Sequence, residues 1–103
     1  MGGMARIRCA VTRWVDDAFP GWVEVRLVEA DGTVAALTDK VPAFGLDGVT
    51  AGTPLPVPVE LACRVLRRER DRHGRELVVV ALRHGVADRS GRTEFAVPAD
   101  QVV

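Results

Sequence analysis

The chain has 103 residues, the size of one domain with a single core, and its fourteen positive and fourteen negative side chains cancel, so no overall field exists to gather nucleic acid or an anionic membrane. Apolar residues make up 48% of it, eighteen of them valine, a β-branched type that packs well on pleated surfaces. The composition leans to β structure and leaves a nucleic-acid function without general electrostatic support.

Thirteen of the fourteen basic residues are arginine, asparagine and tyrosine are absent, and isoleucine occurs once, a pattern of GC-rich bacterial coding. Arginine identity therefore says little about function. The segment MGGMARIRCAV carries no apolar run of secretory type and no stretch is long enough to span a bilayer, so a cytoplasmic location is expected. Cys9 and Cys63 are too few for a disulfide framework, and in a reducing compartment they read as small buried hydrophobes. His73, His84 and the scattered carboxylates have no metal-ligand spacing, so neither a metal nor a cofactor is expected.

Alternation of period two runs along most of the chain. In ARIRCAVTRWV, residues Ile7, Cys9, Val11 and Val15 share one face and Arg6, Arg8, Thr12 and Trp14 the other, which predicts a half-buried strand over about 5–15. WVEVRLVE predicts a second strand over about 22–29, with Val23, Val25 and Leu27 inward. EADGT carries a hairpin signal, and TVAALTDKV supplies the third strand. From Pro42 to Pro58 four prolines and three glycines break the period, predicting a long loop or a short helical turn near AFGLDG. VPVELACRVLR resumes alternation, RERDRHGR turns, ELVVVALRH is apolar on both faces, as a covered strand requires, and DRSGR leads into a last strand, TEFAV.

Six short strands joined mostly by hairpins predict one all-β domain over 1–103: a small, mostly antiparallel barrel of OB-like or SH3-like size, with a compact β-sandwich as the alternative. The expected inward set is Ile7, Cys9, Val11, Val23, Val25, Leu27, Leu37, Val59, Leu61, Cys63, Val65, Val79, Phe95 and Val97.

Face parity predicts registers as well. Pairing inward with inward residues matches Val11 to Val25 and Cys9 to Leu27, and so sets Trp14 opposite Trp22 on the outer face. Phe19-Pro20-Gly21-Trp22 fits a type II turn. For EADGT parity selects a three-residue loop with Gly32 left-handed, which pairs Val25 with Leu37, puts Lys40 beside Trp22, and leaves Arg13 and Asp39 flanking Val23 inside. One end of the domain would then gather Trp14, Asp16, Asp17, Phe19, Trp22 and Lys40, aromatic contact area with charges at its rim. Such patches are typical of recognition surfaces.

A rival surface is the hairpin RVLRRERDRHGRE, whose Arg64, Arg67, Arg68, Arg70, Arg72 and Arg75 outnumber Glu69, Asp71 and Glu76 and could track phosphate, though no aromatic residue is interleaved to stack a base. Catalysis finds no footing. Ser90 is the single serine, the two histidines stand alone, and Asp16 and Asp17 have no environment to separate them into an acid and a base.

The combination of FPGWVEVRLVEADG, DKVP and HGV…TEFAV resembles an uncharacterised family of short bacterial β proteins from GC-rich genomes. That resemblance implies a compact β domain and brings no activity, substrate or site residue. The expected function is a non-catalytic binding module for a protein or peptide, adaptor-like or immunity-like, with single-stranded nucleic-acid binding as the alternative; a homodimer would be one way to cover an exposed strand edge.

Overall fold

The computed structural model describes residues 3–46 and 48–103; Asp47, inside the expected AFGLDG turn, lies outside them. Six strands form: β1 (Gly3–Asp16), β2 (Trp22–Val28), β3 (Val34–Lys40), β4 (Val57–Arg70), β5 (Glu76–Leu82) and β6 (Glu94–Pro98). They make one antiparallel sheet in the order β3-β2-β1-β4-β5-β6. The first four follow a Greek key, with three hairpin-linked strands and a long return that lays β4 beside β1.

The sheet curls into a half-barrel. Its edges are drawn together by the Ala30 N–H, which donates to the Ala96 carbonyl at 2.9 Å, and by a bridge between Leu37 on β3 and Asp88 ahead of β6. The end of the chain continues the closure, since Val102 bridges Ile7 and the Val103 N–H donates to the Arg6 carbonyl at 2.8 Å. A single curled sheet satisfies the barrel expectation, and the sandwich alternative does not apply.

Ile7, Val11, Val23, Val25, Leu27, Leu37, Cys63, Phe95 and Val97 are buried on the concave face, with Leu61 and Cys9 close behind. Val59, beside a groove under the long return, and Val65, at a bulge in β4, are only half-buried. Val79 is buried on the opposite face of β5 from the core residues Val78, Val80 and Leu82, as the two-sided apolar character of that strand requires. The long return also acts as a plug. A 3-10 turn over Val41–Phe44, ended by Gly45 at φ +71°, drives Val41 and Phe44 into the core.

No helix among the described residues is long and apolar enough to cross a membrane.

Candidate functional site

The β2–β3 hairpin has the register that parity demands. Val25 pairs with Leu37, Val23 with Asp39 and Trp22 with Lys40, around a loop in which Gly32 takes φ +89°. Lys40 Nζ lies 5.8 Å from the Trp22 ring centroid, a cation–π contact on the outer face.

The β1–β2 pair departs from the expected register after Val11↔Val25. One bulge falls between Val11 and Arg13, a second between Trp14 and Asp16, and the partners become Arg13↔Glu24, Trp14↔Val23 and Asp16↔Trp22. Each bulge inserts one residue and exchanges the faces. Arg13 therefore turns outward, where its Nε donates to Glu24 Oε2 at 3.3 Å, and does not meet Asp39, whose Oδ1 accepts the Lys40 N–H. Trp14 turns inward, packs against the core and covers Gly21. The two tryptophans are not side by side: Trp14 supports the corner from beneath and Trp22 stands on its outside.

The turn between the strands also differs from the type II expectation. The Gly21 N–H donates to the Ala18 carbonyl at 2.7 Å and the Phe19–Pro20 bond is cis, so the turn starts one residue earlier and is of type VI. Phe19 becomes its tip and is 99% exposed. Trp22 is 36% exposed, and Val15, expected to point inward, is 46% exposed. Asp16, Asp17, Pro20 and Lys40 are exposed around them, with Asp16 Oδ1 accepting the Ala18 N–H at 2.9 Å. Of the expected group, Asp16, Asp17, Phe19, Trp22 and Lys40 share the surface, and Trp14 does not.

The outer face below this corner holds a buried charge that alternation does not reveal. Glu24 points outward, yet it is only 3% exposed, because Thr12 Oγ1 donates to Oε1 at 2.8 Å while Arg26 and Arg13 close over the two carboxylate oxygens. The Thr12 hydrogen bond, with that of Arg26 and the charges of Arg13 and Arg26, holds its carboxyl below the ordinary range against the opposing effect of burial.

The arginines of the β4–β5 hairpin are largely engaged. Arg67 pairs with Glu69 and Glu94, Arg68 with Glu76, Arg75 with Asp71, and Arg70 donates to the Gly74 carbonyl. Arg64 and Arg72 are exposed with no carboxylate partner among the described residues. The tip has no aromatic side chain.

A second ion pair, in which only the Glu29 carboxylate is buried, joins the β2–β3 loop to the turn ahead of β6. Arg92 binds Glu29 through both Nη atoms, at 3.0 and 2.8 Å, and Asp88 through Nε at 2.8 Å, while its guanidinium lies 5.4 Å from the Phe95 ring centroid. Burial works against the Asp88 charge, but the hydrogen bonds of Arg92 and Ser90 prevail and keep its pKa low. Cys9 and Cys63 are free and buried; desolvation, with Cys63 nearby, pushes the Cys9 thiol up to about 12, which makes it a packing group and a poor nucleophile at neutral pH. No cluster of three metal-ligating side chains occurs among the described residues.

Compared with known proteins, the chain matches no family model, no curated protein and no solved structure.

Proposed function

We propose that the chain is a non-catalytic binding module that recognises another protein or a peptide at the β1–β2 corner. The observation that carries this reading is Phe19, a whole aromatic side chain in solvent at the tip of a tightly hydrogen-bonded turn. An exposed phenylalanine beside Trp22, Val15 and Pro20 has no role in the core, whereas rigid aromatic anchors with a polar rim suit an interface. Asp16, Asp17 and Lys40 provide that rim. An adaptor or immunity role fits a module of this size, and the two free thiols agree with the cytoplasm as its location.

Photo-crosslinking tests it. A benzophenone side chain placed at position 19 is expected to give a discrete adduct in cells, lost when Trp22→Ala is added, while the same group at position 89 gives none. Equal labelling from both positions, or none from position 19, sinks the reading. Sedimentation of the wild type and of Phe19→Ser shows whether the partner is a second copy.

Nucleic-acid binding through the arginine hairpin ranks below this, because Arg67 and Arg68 already hold carboxylates and the hairpin has no aromatic side chain to stack a base. An oligonucleotide bound tightly at low salt, with affinity falling steeply as salt rises, would reverse the order.

A further inference from the structure

The turns Asp71–Arg75 and Asp88–Arg92 read DRHGR and DRSGR, differing in one residue. Their wiring is the same. In each, the aspartate N–H donates to the final arginine carbonyl and the glycine N–H to the aspartate carbonyl, all at 3.0 Å. Aspartate Oδ1 accepts the N–H groups of the third and fifth residues, and the glycines take φ +79° and +85°. Aspartate Oδ2 then accepts the arginine Nε, at 3.0 Å for Arg75 and 2.8 Å for Arg92.

This anchoring fixes each guanidinium by its Nε side and leaves the Nη1–Nη2 end as a fork. For Arg92 the fork is filled by the Glu29 carboxylate in a bidentate pair. For Arg75 neither Nη atom makes a hydrogen bond among the described residues, and the side chain is 69% exposed. The fold thus holds two copies of one carboxylate-receiving device, one used internally and the other open.

We propose that Arg75 is a binding fork for one side-chain carboxylate in an otherwise apolar peptide segment of a partner protein. Arg75 lines a groove of about 650 Å³ whose apolar floor includes Leu77, Val79 and Ala96 and whose wall carries Arg72. An extended peptide with one glutamate among apolar residues matches that floor and fork. The acids of the groove are already held: Glu69 and Glu94 by Arg67, Asp71 by Arg75, Glu29 by Arg92, and Asp31 by Thr33. Five carboxylates against four guanidiniums leave no positive excess in the lining, which disfavours a phosphate dianion relative to a single carboxylate. This site lies at the far end of β4 from the β1–β2 corner and does not depend on it.

The probe is a labelled, end-blocked peptide with one glutamate among leucine and glycine, followed by fluorescence anisotropy at low salt. Arg75→Gln is expected to weaken binding roughly tenfold, the size of a lost charge-assisted pair, and Arg75→Lys nearly as much, because an ammonium cannot reproduce the fork. Replacing the peptide's glutamate with glutamine should have the same effect, and butyrate should compete at lower concentration than inorganic phosphate. Asp71→Asn separates geometry from charge: it makes the groove more positive, yet it removes the anchor of the fork, so binding is expected to fall. Far-UV dichroism confirms that each variant is folded. The proposal is overturned if the wild type does not bind the peptide, if Arg75→Gln or the glutamine peptide binds as well, if Asp71→Asn binds more tightly, if phosphate is the better competitor, or if Phe19→Ser abolishes binding.

Discussion

The Trp14 indole lies over Gly21 so closely that a Cβ added there would stand 2.7 Å from the ring carbon Cζ3. Gly21 also has φ +85°, where a side chain is strained whatever the space. Gly21→Ala is therefore expected to destabilise the domain by about 1–3 kcal/mol, through the φ penalty and the displaced indole together. Urea denaturation measures it, and a midpoint equal to the wild type would show that Trp14 does not rest on this glycine.

The two tryptophans are expected to behave differently. Removing the inward-turned ring with Trp14→Ala should cost about 3 kcal/mol or more, as for a large side chain in a packed interior. Trp22→Ala should cost under about 1 kcal/mol of stability but weaken partner binding by about 2 kcal/mol, as for an aromatic anchor. Fluorescence checks the placement. Trp22→Phe leaves Trp14 as the sole emitter, and its maximum should lie at shorter wavelength than that of Trp14→Phe, whose remaining indole is in contact with water.

Breaking the clasp between Glu29 and Arg92 should be costly. Arg92→Leu strands the Glu29 carboxylate, 8% exposed, and is expected to lower the unfolding midpoint. The double variant Glu29→Leu with Arg92→Leu should recover much of that loss. Thermal unfolding of the four proteins gives the coupling, and additive losses would mean that the pair acts as two independent surface charges.

Acid should unfold the domain through groups that can be named. Glu24 has a folded pKa below its ordinary 4.5, and Asp31, Asp71 and Asp88 lie below 3.8. Each contributes stability that is present above its ordinary value and is lost as pH falls through the folded one. Stability should thus be level above about pH 5 and decline from there, with Glu24 leading and the aspartates following. Glu24→Gln is less stable at neutral pH but should show a shallower decline between pH 5 and 4. A parallel decline would mean that Glu24 titrates as it does in the unfolded chain.

Most of the architecture was legible in the sequence because period-two alternation and turn chemistry are local. The β2–β3 register followed from Asp31, Gly32 and the parity of Val25 and Leu37, and β5 announced its covered position by having no polar face. The β1–β2 register failed because a bulge in the run VTRWV leaves no mark: Thr12, Arg13 and Trp14 alternate as plausibly without one. Glu24 failed for another reason. Parity gives the direction of a side chain but not what folds over it, and the residues that cover it are Arg26 from its own strand and Thr12 and Arg13 from β1. The Glu29–Arg92 pair joins residues 63 apart, which no local pattern reports. The likeness of DRHGR and DRSGR also stands in the sequence, yet the two segments read there only as separate turns, and their shared wiring emerges from the hydrogen bonds.

The two bulges of β1 have a consequence for how the strand tolerates length changes. Side-chain direction counts modulo two, so each inserted residue flips it and a second insertion restores it: Asp16 emerges in the phase it would have in a regular strand, and only the short window around Arg13 and Trp14 is inverted. Deleting the extra residue of either bulge, Thr12 or Val15, would leave the pairings Arg13↔Glu24, Trp14↔Val23 and Asp16↔Trp22 as they are and only straighten the strand there. Smoothing both bulges with every residue kept would instead send the odd positions inward, with Arg13 in the core and Trp14 outside. What looks like two local defects is thus one paired device that carries the indole inward and puts the corner back on the surface.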